Sequence, residues 1–271
     1  MNIINEIEGL VEVEYFTEIV KNIQGMDEYN FLFVQWYNEI QTNLKNKTIV
    51  FIISDESYSM PGDKFLKPNV EMIFKNYHPF NETNQKVRPL PLGFVGGFRG
   101  NNDIPIQDRE FDYSFTGAWN QRRHGLLEAF KKRETDGREK FFHMNRNWCG
   151  GDDAGLSIAE YSSLMSNTKI SLCPPGYENN ESFRIFESAM CGNIIVSETP
   201  CPYWYYKDMP HFTIESWDNL NIVDNIMSKS DDELSDISNK TRQWYDDNIS
   251  PKSIARYIEK EVCENTTKIN R

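Results

Sequence analysis

The stretch from Lys169 to Glu198, KISLCPPGYENNESFRIFESAMCGNIIVSE, constrains the fold more than any other part of this chain. It reads as strand, loop, helix, strand. Lys169 to Cys173 is a short apolar run that Pro174 and Pro175 stop, because proline cannot continue a strand ladder. Gly176 to Glu181 is a polar loop, and Glu181-Ser182 opens a helix with Phe183, Phe186 and Met190 at helical spacing. Cys191-Gly192 closes that helix, and Asn193 to Val196 is the next buried strand. Such a unit is a parallel crossover of an α/β fold. Its loop and helix start lie at the carboxyl edge of the sheet, where open α/β sheets bind ligands. A helix N-terminus there offers free N–H groups and a positive dipole end, which suit a phosphate.

Three side chains extend this reading. Ser182, in the first turn, can donate to a phosphate oxygen; Arg184 can add a bidentate fork; Glu187, a little over one turn on, can accept from the hydroxyls of a ribose. Singly, each has a plainer explanation: a helix cap, a surface cation and a solvated acid. Together, directly after a Pro-Pro-Gly loop, they point to nucleotide binding.

The pattern S-x-x-x-x-S-L-C-P-x-G…S-F-R-x-F-E-x-x-x-x-G-x-I-x-V, beginning at Ser166, resembles the donor-binding motif of exostosin-type glycosyltransferases. More loosely, it is similar to the matching segment of α1,3-fucosyltransferases. The resemblance implies a GT-B-like α/β architecture, two Rossmann-like domains flanking a cleft. It also implies a nucleotide-sugar donor held by Pro175, Gly176, Ser182, Phe183, Arg184 and Glu187.

At 271 residues the chain can bury one large or two small cores, and 13% aromatic content supports a packed globule. A net charge of −12 argues against broad contact with nucleic acid or an anionic membrane, though not against a local basic pocket. No apolar run approaches the ~20 residues of a membrane span, and no basic-plus-apolar leader opens the chain. The five cysteines, Cys149, Cys173, Cys191, Cys201 and Cys263, lack a framework spacing and read as reduced thiols. Abundant Asn, Ile and Lys suggest an AT-rich bacterial or viral genome, so the expected compartment is the cytoplasm.

Residues 1–100 read as an N-terminal acceptor-side α/β domain. Asn30 to Ile40 suggests a strand running into a helix, and Lys47 to Ile53, Val70 to Lys75 and Val87 to Leu92 are strands. Their ends carry Ser54-Asp55-Glu56, Asn76-Tyr77-His78 and Pro91-Leu92-Gly93. That order is similar to the first domain of exostosin-like and ribitol-xylosyltransferase-like enzymes. Members usually have a longer first domain, so this one is abbreviated.

Gly96 to Asp108, rich in Gly, Asn, Asp and Pro, reads as a linker, and residues 109–271 as a C-terminal nucleotide-sugar-binding domain with C-terminal helices. Phe111 to Phe115 is its first strand, Thr116-Gly117 a turn and Arg122 to Phe130 a helix. The segment resembles the F-x-G…R-x-x-L stretch of the same enzymes, in which an arginine meets the donor diphosphate. Arg122 and Arg123 both fit that position; either also serves as a plain surface residue. In the loop from Asn145 to Gly155, Asp152-Asp153 reads as turn chemistry or a helix cap before it reads as a metal site. No metal or other cofactor is expected, because arginine and a helix dipole can carry the diphosphate charge. The loop Thr199 to Pro210 is either a stacking cover for a base or sugar, or a packed loop. Ser250-Pro251 starts a last helix. In GT-B enzymes such a helix tends to cross back to the first domain.

An inverting transferase needs a base on the acceptor hydroxyl and positive charge on the departing diphosphate. Glu56 and Asp55 are the expected catalytic acids, Glu56 first because related fucosyltransferases carry a Glu near the same strand end; His78 is in reserve. The expected activity is transfer of a hexose or pentose from a UDP- or GDP-sugar to a glycan or lipid-linked acceptor in polysaccharide biosynthesis. The alternatives are transfer to modified DNA bases and a non-catalytic nucleotide-sugar or glycan-binding protein.

Overall fold

The runs Asn30–Val34 and Thr48–Ile52 are buried along their whole length, as parallel strands covered on both faces must be. The computed structural model describes residues 2–7, 9–35, 46–145 and 155–269. The readings placed on residues 36–40 and on the loop holding Cys149, Asp152 and Asp153 lie outside them. By its internal contacts the chain divides into two compact units, 1–96 with 248–271, and 97–247.

The first unit contains β1 (Asn2–Asn5), α1 (Val13–Asn22), β2 (Asn30–Val34), β3 (Thr48–Ile52), β4 (Val70–Lys75) and β5 (Val87–Pro89). The five strands form one parallel sheet in the order β1-β2-β3-β4-β5. On one face Leu32, Val34, Val50, Ile52 and Ile73 pack with Met60 and Phe65. On the other, Phe16 of α1 meets the Phe33 and Phe51 rings at 6.4 and 5.9 Å. The last helix, Pro251–Ile269, also belongs here: Tyr257 meets Phe74 at 6.1 Å, and Arg88 pairs with Glu261 at 2.6 Å. The 109–271 boundary counts that helix with the second domain, whereas the GT-B resemblance brings such a helix back to the first, and its contacts follow the resemblance. Its buried Ile254, Ile258 and Val262 make an apolar stripe that sequence alone cannot assign to a sheet.

The second unit contains β6 (Phe111–Ala118), α2 (His124–Lys131), β7 (Lys140–Asn145), α3 (Ile158–Ser166), β8 (Thr168–Cys173) and α4 (Phe183–Met190). β9 (Ile194–Ser197), β10 (Phe212–Thr213), α5 (Asn221–Met227) and α6 (Asp231–Asn248) follow. The Pro251–Ile269 helix is α7 in chain order. This second sheet is parallel throughout, in the order β10-β9-β8-β6-β7. Chain direction across the sheet therefore reverses between β6 and β8, the position at which doubly wound sheets open a crevice at their carboxyl ends.

Two local expectations change. Thr116-Gly117 is not a turn: β6 continues to Ala118, with Gly117 paired to Met144. Arg122 and Arg123 lie in a 3₁₀ turn, Gln121–Arg123, and the α-helix begins at His124. The presumed linker is also fixed to the second unit. The buried Arg109 donates to the carbonyls of Thr168 and Cys191 and to the Asn102 and Asn193 side chains, at 2.6–2.9 Å. Burial pulls its pKa down to about 10.

Candidate functional site

The two loops at the β6/β8 reversal are joined to each other. Asn120, just past β6, donates to the Gly176 carbonyl at 3.3 Å. Arg123 donates through Nε and Nη2 to the Pro175 carbonyl at 3.1 and 2.8 Å, and through Nη1 to the Ala118 carbonyl at 2.6 Å. Arg123 thus holds the Pro-Pro-Gly loop against the end of β6. Arg122 is more exposed; it binds the Asn179 carbonyl at 2.9 Å and the Asn180 side chain, and lies 3.8 Å from Glu198.

Between these loops α4 begins. Its seating on β8 comes from small hydroxyl residues, with Ser188 Oγ donating to Ser171 Oγ at 2.7 Å. Ser182 occupies the N-cap position with extended backbone, yet its hydroxyl makes no capping bond and is buried without a hydrogen-bond partner. Arg184 is 9% exposed, donates to the Thr116 carbonyl and lies over the Phe115 ring; its Nε is likewise buried without a hydrogen-bond partner. Two unused donors within one turn at a helix N-terminus are the chemistry of an anion site. The plain readings of Ser182 as a cap and Arg184 as a surface cation do not describe these side chains.

Glu187 is not a solvated acid either. It is 1% exposed and accepts from the Tyr161 hydroxyl of α3 at 2.5 Å. Burial, followed by the negative charge of Glu187, pushes the Tyr161 phenol well above its ordinary pKa. Phe183, expected on the inner face of α4, is only partly buried, whereas Arg184 and Glu187 are inside. Gly117 leaves room for this arrangement, since a Cβ there would stand 2.7 Å from Arg184 Nη2.

Of the two readings of the Thr199–Pro210 loop, the structure favours packing. Tyr205 and Tyr206 are buried against Phe186, and both hydroxyls donate to Glu181, at 2.7 and 3.4 Å. The exposed aromatics at this edge are ones that sequence reasoning passed over, Trp119 at 46% and Tyr177 at 64%.

At the carboxyl edge of the first sheet, Asp55 is a structural acid. It is buried, and its two oxygens accept from the Ser59 N–H and hydroxyl, the Met60 N–H and the ammonium of Lys75. Lys75 is fully buried; desolvation lowers its pKa, partly offset by Asp55. The expectation of Asp55 as a catalytic acid gives way to this buried pair, because a base needs an oxygen that substrate can reach. Glu56, on the turn beyond it, is partly exposed. His78 is buried, and burial lowers its pKa. The residue that sequence reasoning missed here is Glu12, just before α1: it is 2% exposed, with Oε1 accepting from the Ser54 hydroxyl at 2.6 Å. Burial raises its carboxyl above the ordinary range.

Among the described residues, no three His, Cys, Asp or Glu side chains gather as a metal cluster, and no helix is long and apolar enough to cross a membrane. Cys173, Cys191 and Cys201 are buried free thiols, and Cys263 is an exposed one.

No protein-family model matches the chain, and no curated protein matches it. Solved structures do. The chain is similar to AviGT4, a glycosyltransferase involved in avilamycin A biosynthesis, with a TM-score of 0.55 and 11% identity over 97% of this chain and 93% of that one. It is similar to a glycosyltransferase from Rickettsia africae ESF-5 (TM-score 0.55, 10% identity, 98% and 97% covered). It is also similar to Anabaena HepE in complex with UDP-glucose (TM-score 0.51, 10% identity, 88% and 79% covered). The fold is GT-B-like. Two parallel-sheet α/β units, matched over nearly the whole length of glycosyltransferase structures, establish that architecture.

Proposed function

We propose that the protein is a glycosyltransferase that moves a sugar from a nucleotide diphosphate donor to an acceptor hydroxyl. The observation that carries this reading is the pair of unpartnered buried donors, Ser182 Oγ and Arg184 Nε, at the start of α4 beside the sheet reversal. A diphosphate there would meet a guanidinium, a hydroxyl and the positive end of a helix. Arg123 shapes the loop through Pro175 and Gly176 stays close to Asn120, so both act by holding the phosphate-facing backbone in place. Arg122, bound to Asn179 and Asn180, and Phe183, the first residue of α4, lie on the same stretch of chain. Glu187, oriented by Tyr161, is assigned to the ribose hydroxyls.

The fold of its structural neighbours supports the same reading, and HepE is described with UDP-glucose. UDP- and GDP-sugars are therefore the donors to test, and the resemblance to exostosin-like enzymes favours a glycan or lipid-linked acceptor. Charge on the leaving diphosphate is met by Arg184 and the helix dipole, so turnover should survive chelation of divalent cations. An inverting reaction also needs a proton acceptor for the incoming hydroxyl, and Glu56, partly exposed beyond β3, is the carboxylate to test for it.

The test is a melting-temperature panel of UDP- and GDP-sugars. A ligand that binds only the folded state raises the melting point in proportion to the logarithm of its concentration over Kd. A rise with one donor class, absent in Arg184→Ala, supports the site; no rise with any nucleotide sugar at millimolar concentration rejects it.

A further inference from the structure

Among the described residues of the second unit, the exposed large apolar side chains are Trp119, Ile158 and Tyr177. Two of them are aromatic and belong to the loops at the sheet reversal. Trp119 comes directly after β6, and Tyr177 directly after the Pro-Pro-Gly stretch. Each is next in sequence to one partner of the Asn120–Gly176 hydrogen bond, 3.3 Å long. Arg123 fastens the same two loops through the Pro175 carbonyl, and Arg184 ties the start of α4 to Thr116. Two exposed rings are thus carried on bonded loops at the edge where α4 begins.

Single exposed apolar residues are ordinary on a protein surface. A Trp and a Tyr on joined loops beside a candidate anion site are not scattered in that way. A ring left in water forgoes the stabilisation of burying it. A nucleoside diphosphate held at α4 by its phosphates brings one flat group with two apolar faces, the base, and aromatic side chains stack on such faces.

The donors of the two loops are meanwhile turned on the loops themselves. Arg122 donates to Asn179 and Asn180, Arg123 to the Pro175 and Ala118 carbonyls, and Asn120 Nδ2 to the Gly176 carbonyl. Groups of that kind read the edge of a base. Asn120 Oδ1, which is buried without a hydrogen-bond partner, is an acceptor. Uracil and guanine both carry a ring N–H, so it does not choose between them.

We infer that Trp119 and Tyr177 hold the donor nucleobase by its faces, so that uridine and guanosine diphosphates bind with similar strength; this rests on the transferase reading above. Stacking tolerates base identity because every base has a π-face. The groups assigned to Ser182, Arg184 and Glu187, phosphates and ribose, are common to both nucleotides.

The experiment measures UDP and GDP affinity by calorimetry in the full chain and in Trp119→Ala, Trp119→Phe and Tyr177→Ala, beside melting curves. Both residues are exposed, so all three variants should fold. Neither diphosphate carries a sugar, so stacking on the base is read apart from stacking on a sugar ring. Removing one stacked ring weakens nucleotide binding by about 5- to 150-fold. The expected result is wild-type UDP and GDP affinities within about tenfold of each other, with each alanine variant weakening both by about fivefold or more. Trp119→Phe should keep most of the affinity, and the quenching of tryptophan fluorescence by UDP should be smaller in it than in the wild type. A UDP-to-GDP difference above about tenfold would overturn this inference alone. So would a smaller loss in either alanine variant, or an equal quench in Trp119→Phe. Absence of binding by both diphosphates in the wild type would overturn the transferase reading and this inference with it.

Discussion

The guanidinium carbon of Arg184 lies 4.5 Å from the centroid of the Phe115 ring, while one of its terminal nitrogens donates to the carbonyl of Thr116, the next residue. The side chain is thereby locked by ring and backbone together, and its orientation is set before any ligand arrives. Preorganised charge of this kind binds without a large ordering cost. Arg184→Ala should therefore weaken UDP binding by about 2 kcal/mol, about thirtyfold in Kd, the size of a charged hydrogen bond. Arg184→Lys should recover little, because an ammonium neither stacks on Phe115 nor forks. Calorimetric titration with UDP, run beside melting curves that show both variants folded, checks this.

Gly117 is a paired residue of β6 whose missing side chain makes room for Arg184. A Cβ there would stand 2.7 Å from Arg184 Nη2 and 3.4 Å from Arg123 Nη1. The close atom is the end of a long side chain, so Gly117→Ala should fold with a loss within about 1 kcal/mol. The displaced guanidinium should weaken UDP binding by about tenfold or more. Normal UDP affinity in a folded Gly117→Ala protein would show that Arg184 does not need its present place.

The buried Asp55–Lys75 pair makes a contrasting prediction, one about stability. Removing one partner strands a buried charge, which typically costs about 3–5 kcal/mol. Asp55→Asn and Lys75→Met should each approach that loss in urea denaturation. The double replacement Asp55→Leu with Lys75→Met should recover most of it, since an apolar pair of similar volume needs no counter-charge. Additive losses in the double variant would contradict the pairing.

What the sequence revealed follows from the range of the interactions involved. Thr168–Ser197 was legible because prolines, helical spacing and a both-sides-buried strand are local signals, and β3 and β4 were legible for the same reason. Gly117 was misread as a turn because its purpose, clearance for a side chain 67 positions on, is not local. Asp55 looked like a cleft acid because its partner stands twenty residues away on the next strand. Glu12 was hidden in a mixed apolar and acidic run whose helical phase gives no hint that a residue before the first turn is buried. In α4 the apolar positions were found, but not the burial of Arg184 and Glu187, which depends on β6 and α3 packing alongside.

Glu12 offers a last test, one of stability against pH. Its folded carboxyl titrates above the ordinary 4.5, chiefly through burial, so the folded state holds the proton more tightly than the unfolded chain. By linkage, the stability this group contributes is fully present below the unfolded pKa and is lost as pH rises through the folded one. Glu12→Gln keeps the acceptor for Ser54 but has no charge to bury. The difference in melting temperature between Glu12→Gln and the wild type should therefore shift in favour of the variant as pH rises from about 4 toward 8, whatever its value at low pH. A pH-independent difference would mean that Glu12 is not buried as a carboxylate at neutral pH.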